Sequence, residues 1–334
     1  MARPRIDPFI VMILTTVGVA TLLPARGVAA GVAGVLTTVA IGLLFFLYGV
    51  RLSPAEAMAG LRHWRLHVTV LVSTFVLFPL LGLAARLLVP SVLTPSLYTG
   101  VLFLCVLPST VQSSIAFTSI AKGNVAAAVC AASMSSLLGV FISPVLVGLL
   151  VSTNGDALSL RSVGDIVLRL LVPFLLGQVC RRWLSGWVGG HKRIVGVVDR
   201  GSILVVVYTA FSEGVVAGIW HELAPLRLVG LVGVDALLLG LALVITWTTA
   251  SRLGFSREDR ITIVFCGSKK SLSAGLPMAA VFFPGTVGLV VLPLMLFHQI
   301  QLMVCAALAR RWATNERTRS VTVKAAGQGA QTSH

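Results

Sequence analysis

Long apolar runs constrain this chain more than any other feature. A helix needs about 20 mostly apolar residues to cross the hydrocarbon layer of a bilayer. Cutting at charged and Pro/Gly-rich breaks gives ten such runs, at 8–24, 28–50, 67–88, 96–121, 125–151, 163–183, 201–221, 227–251, 260–284 and 286–309. Inside hydrocarbon each backbone N–H and C=O must find its partner within the segment, so runs of this kind fold as helices. Composition agrees. Of 334 residues, 57% are hydrophobic and 11% charged, against about one quarter charged in soluble domains; mean hydropathy is +0.97. The expected fold class is all-α integral membrane. The formal charge of +15 would suggest nucleic acid in a soluble chain, but that reading needs clustered basic residues with aromatics between them. Here the basic residues sit in short pockets between apolar runs, so no nucleic-acid partner is expected.

Those pockets give a topology. Lys and Arg near span ends are retained in the cytoplasm. Arg169, Lys269 and Lys270 lie within spans and Arg26, Arg86, Arg161 and Arg227 on one side; the remaining nineteen of 26 basic residues fall on the other. With an even number of crossings, both termini are expected in the cytoplasm. Arg3 and Arg5 precede the first run, but no small-residue cleavage site follows, so that run reads as a membrane helix and not a signal peptide. Residues 313–334, rich in Ser, Thr, Gln and Gly, are expected to form a disordered cytoplasmic tail. The five cysteines form no CxxC pair, which argues against a disulfide framework or a zinc site. No HExxH, Walker loop or GxSxG occurs, so no enzyme and no cofactor is expected.

Ten spans permit two five-helix halves, 1–151 and 152–312, with the second inverted. Inverted repeats place a binding site near mid-membrane, on interrupted helices in matching positions. The fourth span contains Leu107-Pro108-Ser109-Thr110-Val111-Gln112-Ser113-Ser114, and the ninth contains Phe265-Cys266-Gly267-Ser268-Lys269-Lys270-Ser271-Leu272-Ser273. Each is the fourth helix of its half. Any single serine here reads best as a small residue easing helix packing. Two dense polar stretches in equivalent spans read better as a binding centre, to which Ser109, Thr110, Gln112, Ser113, Ser114, Ser268, Lys269, Lys270 and Ser271 would contribute.

Several strings resemble the bile acid:sodium symporter superfamily: Gly49-Val50-Arg51-Leu52-Ser53, Trp64-Arg65-Leu66-His67, Phe78-Pro79-Leu80 and Ala121-Lys122-Gly123-Asn124-Val125. Tyr208 to Gly214, Phe265 to Leu272, and Leu292 to Leu302 resemble its symporter-like (SBF-like) branch, of the solute carrier 10 type. The resemblance covers nearly all of the chain up to residue 312. It implies ten transmembrane helices in two inverted repeats. A panel domain (helices 1, 2, 6 and 7) would move against a core domain (helices 3–5 and 8–10), with broken helices 4 and 9 crossing. The implied activity is sodium-driven uptake of bile acids and other organic anions.

The departures from that pattern are specific. Matched on Gly267, the family's ninth-helix Glu falls on Phe265 and its Gln-Asn pair on Lys269-Lys270. The fourth-helix Ser-Asn pair appears as Ser113-Ser114, and the fifth-helix hydroxyls fall on Ala128 and Ala132, leaving Ser133. Sodium, a hard cation, selects carboxylate, carbonyl and hydroxyl oxygens, so only Ser113, Ser114 and Ser133 remain as weak candidates. The coupling ion, Na+ or H+, stays open.

A Lys or Asp at a helix centre costs about 2.5–3.5 kcal/mol on insertion scales, so each intramembrane charge needs a reason. One of the adjacent Lys269 and Lys270, about 100° apart on a helix, would fill the vacated cation site as a tethered charge, and the other would face an anion. A static ion pair with Glu213 or Asp235 is the plainer alternative. In the tenth span His298 and Gln301 share a face, while Gln299 points elsewhere; His298 and Gln299 join the candidate set together with Glu213 and Asp235. The expected function is secondary transport of a small organic anion by alternating access, in a monomer or homodimer in the plasma membrane, bacterial inner membrane included. A non-transporting membrane regulator that keeps the fold is the rival.

Overall fold

The computed structural model describes residues 8–52, 63–151, 160–216, 218 and 225–331. All regular structure among them is helical, with no strand. In chain order the helices are α1 (Pro8–Leu22), α2 (Val28–Arg51), α3 (Trp64–Leu88), α4 (Pro95–Val106), α5 (Gln112–Ile120), α6 (Val125–Leu150), α7 (Leu160–Gly190), α8 (Lys192–Val216), α9 (Pro225–Arg252), α10 (Arg257–Gly267), α11 (Leu272–Phe282) and α12 (Val287–Gln331). Six of these are long and apolar enough to cross a membrane: α2, α3, α6, α8, Leu226–Arg252 within α9, and Val287–Thr314 within α12. Val11–Leu22 and α4 are shorter apolar helices.

Most helices sit on the apolar runs, with informative differences. The expected spans 163–183 and 201–221 become α7 and α8, separated only at His191. Bilayer thickness limits the apolar length of a helix and not its end, so Arg181, Arg182 and Arg200 lie on helices instead of in a loop. α3 is not regular, since Ser73–Leu77 winds as a π-turn. The fourth and ninth runs are each two helices, α4/α5 and α10/α11, interrupted over 107–111 and 268–271.

Close backbone approach sets the packing of α2 on α7. A Cβ on Gly49 would lie 2.1 Å from the Phe174 carbonyl oxygen, and one on Gly177 would lie 2.1 Å from that of Phe46. Small residues permit such contact where lipid supplies no hydrophobic drive between helices. α1 packs on α8, and α2 also touches α8, where Arg51 forms an ion pair with Asp199 at 2.9 Å. The broken segments occupy the interior. Residues 101–110 and 261–272 are buried without exception.

The turn from α5 to α6 is locally determined. Lys122 takes φ 61°, the left-handed conformation that commonly ends a helix. Gly123 N–H then donates to Thr118 O at 2.8 Å. Asn124 caps α6 by accepting from Ala127 N–H at 3.1 Å, and its amide donates to Asp259 at 2.9 Å.

Candidate functional site: a lysine pair at two broken helices

α4 stops because Pro108 has no N–H to continue the ladder. The groups freed at the break find partners elsewhere, as buried backbone must. Ser109 N–H donates to Ser135 Oγ at 3.1 Å, and Val106 O accepts from Ser143 Oγ at 2.7 Å. On the other broken helix, α10 ends at Gly267, and α11 starts with Ser271 as its cap, accepting from Ala274 N–H. The two breaks meet directly: Ser271 N–H donates to Pro108 O at 2.9 Å. A second link joins α5 to α10, where Ser114 Oγ donates to Phe265 O at 3.0 Å. Thr110 Oγ1 lies 2.6 Å from Ser113 Oγ and 3.2 Å from Ser114 Oγ.

Both lysines lie here, fully buried, yet their surroundings differ. Lys270 Nζ donates to three backbone carbonyls, Thr74 O at 2.8 Å, Cys105 O at 2.8 Å and Leu107 O at 2.7 Å, which uses all three ammonium donors. The Phe78 ring lies 4.3 Å from the same nitrogen. Lys269 Nζ donates to Ser113 Oγ at 3.2 Å and otherwise faces the rings of Phe117 and Phe265, at 4.4 and 5.7 Å, in cation–π geometry. Among the described residues the one ion pair is Arg51–Asp199, and neither lysine is paired with Glu213 or Asp235.

The backbone of Lys270 is held from α12. Its N–H donates to Gln301 Oε1 and its C=O accepts from Gln301 Nε2, both at 2.9 Å, and Gln301 Nε2 also lies 2.8 Å from His298 Nδ1. The amide that reaches the site is therefore Gln301. Gln299 is half-buried and makes none of these bonds. Gln112 is exposed at the start of α5, beside half-buried Ser113. Ser268, just past the end of α10, donates back to Val264 O, and Ser109 Oγ and Ser133 are buried outside the lysine contacts. Asp235 is fully buried on α9, with no hydrogen-bond partner for either carboxyl oxygen among the described residues. Glu213 is exposed to a cavity of about 360 Å³ between α2, α8 and α11, which Thr37, Thr209, Ala280 and Val281 also line.

Backbone carbonyls are what sequence reasoning missed, and prolines are the signal that marks them. Thr74 O would normally accept from the N–H of residue 78, or of residue 79 in a π-turn. Phe78 N–H goes to Ser73 O instead, and Pro79 has none. In the same way Cys105 O loses its helical donor, because Ser109 N–H is spent on Ser135 and Pro108 has no N–H. Two prolines thus leave acceptors free at the place where Lys270 arrives.

Apolar helices of membrane length around two interrupted, touching helices with a polar centre define a multi-pass membrane protein of the transporter class. The profile of the SBF-like CPA transporter family matches residues 7–314, and the chain belongs to that family. It is 54% identical over 308 residues to YfeH of Escherichia coli, whose name carries the word symporter, with 92% of this chain and 93% of that protein covered. It is 57% identical over 317 residues to an uncharacterized protein of Pseudomonas aeruginosa, covering 94% and 95%. Sodium/bile acid cotransporter 7 of Rattus norvegicus is 29% identical over 315 residues, covering 92% and 93%.

Proposed function

We propose that the protein is a secondary transporter that moves a small organic anion by alternating access, with protons and not sodium as the coupling ion. The observation that carries this is the unequal pair at the helix crossing. Lys270 is saturated by carbonyls, whereas Lys269 donates to a single hydroxyl, that of Ser113. An ammonium held by one neutral hydroxyl, with donors to spare among the described residues, suits a carboxylate, sulfonate or sulfate. The printed name of the rat relative, a sodium/bile acid cotransporter, favours the same solute class. Sodium is disfavoured because the side chains of Phe265, Ala128 and Ala132 carry no ligand oxygen.

Ten crossings in two inverted halves are supported by the packing. Exchanging the first five spans for the second five turns the α1–α8 contact into the α7–α2 contact, and both occur. The α3–α6 contact likewise corresponds to α9–α12. α1, α2, α7 and α8 would form the panel, and the remaining helices the core. The cavity at Glu213 lies between the two groups and would be the solute's passage. Both termini would face the cytoplasm, as the basic residues require, in the bacterial inner membrane. Lys269→Met tests the assignment: a folded variant should lose uptake of anions into proteoliposomes, and full retention of uptake would sink the role given to this residue.

A further inference from the structure

The carbonyl cluster around Lys270 has the form of a cation site. Three carbonyl oxygens from two separate helices converge within 2.8 Å of one point, and no side-chain acid takes part. Cys105 O lies in the last turn of α4, where unsatisfied carbonyls carry partial negative charge, and Leu107 O sits at the cap just past its end. Thr74 O is released by the π-turn before Pro79. Unfilled, these oxygens would be buried acceptors without donors, which is costly away from water. The ammonium that fills the cluster comes from a residue whose main chain is fastened on both sides by Gln301, so the charge is delivered at a fixed depth.

We propose that Lys270 is a built-in cation: its ammonium permanently occupies a carbonyl site, and removing the side chain opens that site to a free cation. The link to transport rests on the reading above, but occupancy of the site does not. Three convergent acceptors match the three N–H donors of a primary ammonium, so a small alkylammonium should refill the site better than an ion that has no hydrogen to donate. Na+ should enter the opened site too, though with part of its shell made by water.

The test is the thermal stability of the purified full-length protein in detergent, which needs no transported solute. Lys270→Ala should melt below wild type and recover with rising ethylammonium chloride in a saturable way, since a ligand that binds only the folded state stabilises by mass action. Tetramethylammonium chloride at equal ionic strength should give no recovery, and wild type should respond to neither salt. No response of the variant to ethylammonium, or an equal response in wild type, would overturn the proposal. Should the alanine variant fail to fold, Lys270→Met provides the check. Its chain fills the space without a donor, so it should melt below wild type and ignore ethylammonium; a melting temperature equal to wild type would contradict the cation role. Neither result depends on whether anions are carried, so failure of this inference is distinct from failure of the transport reading.

Discussion

Gln301 and Lys270 are joined by a reciprocal pair of hydrogen bonds, the side-chain amide of one closing on the main chain of the other at 2.9 Å on each side. The peptide at this break has left its helix, and the amide on α12 replaces the ladder it lost. Gln301→Leu removes both bonds and strands a buried N–H and C=O. At about 1–3 kcal/mol for each buried group left unsatisfied, the variant should lose roughly 2–6 kcal/mol of stability. Gln301→Glu keeps the acceptor and should fall between the two. Denaturation of the purified proteins in detergent reads the order.

The all-helical membrane fold was legible because hydrocarbon demands length, and length is visible in letters; six of the helices are long and apolar enough to cross. The two breaks were legible too, since Pro108 and Gly267 mark places where a helix cannot continue unaided. The irregular α3 was not, because a π-turn has no composition of its own; Pro79 is its one trace. The partners of Lys270 were hidden for a related reason. Thr74, Cys105 and Leu107 act through carbonyls, which every residue possesses, so no residue type announces them. His298 and Gln301 were recognisable as sharing a face by their spacing of three, yet Gln299 was the amide expected at the site. A side chain's direction depends on which way α12 faces, and spacing alone does not give that.

Among the described residues, Lys269 Nζ has one hydrogen-bond partner, Ser113 Oγ. Ser113→Ala should leave the fold intact, because Thr110 retains Ser114 as a partner, while the ammonium loses its orienting hydroxyl. A loss of about 1 kcal/mol in anion binding corresponds to roughly a fivefold rise in the half-saturating solute concentration. Uptake at varied solute concentration measures it, with the maximal rate expected to change less.

Gly49 and Gly177 admit no side chain. Each faces a backbone carbonyl, which cannot move aside as a flexible side chain would. Gly49→Val and Gly177→Val should each prevent α2 from seating on α7. Size-exclusion profiles of the detergent-solubilised variants should show aggregated or absent protein, whereas Gly42→Val, where nothing crowds the added atoms, should elute as wild type.

Arg51 and Asp199 tie α2 to α8 at a partly exposed site, and Arg51 also donates to Val195 O. Asp199→Asn removes the charge but leaves an acceptor. The expected loss is about 1 kcal/mol or less, shrinking as salt is added. Thermal melts at low and high ionic strength separate this from a packing defect, which salt would not change.

The coupling ion is tested most directly by flux. Wild-type protein in proteoliposomes is given radiolabelled taurocholate and a panel of smaller carboxylates and sulfonates, with a sodium gradient and a pH gradient imposed separately. Accumulation of an anion driven by the pH gradient and indifferent to sodium is the predicted result. Accumulation that requires the sodium gradient, or no flux of any anion under either gradient, would contradict it.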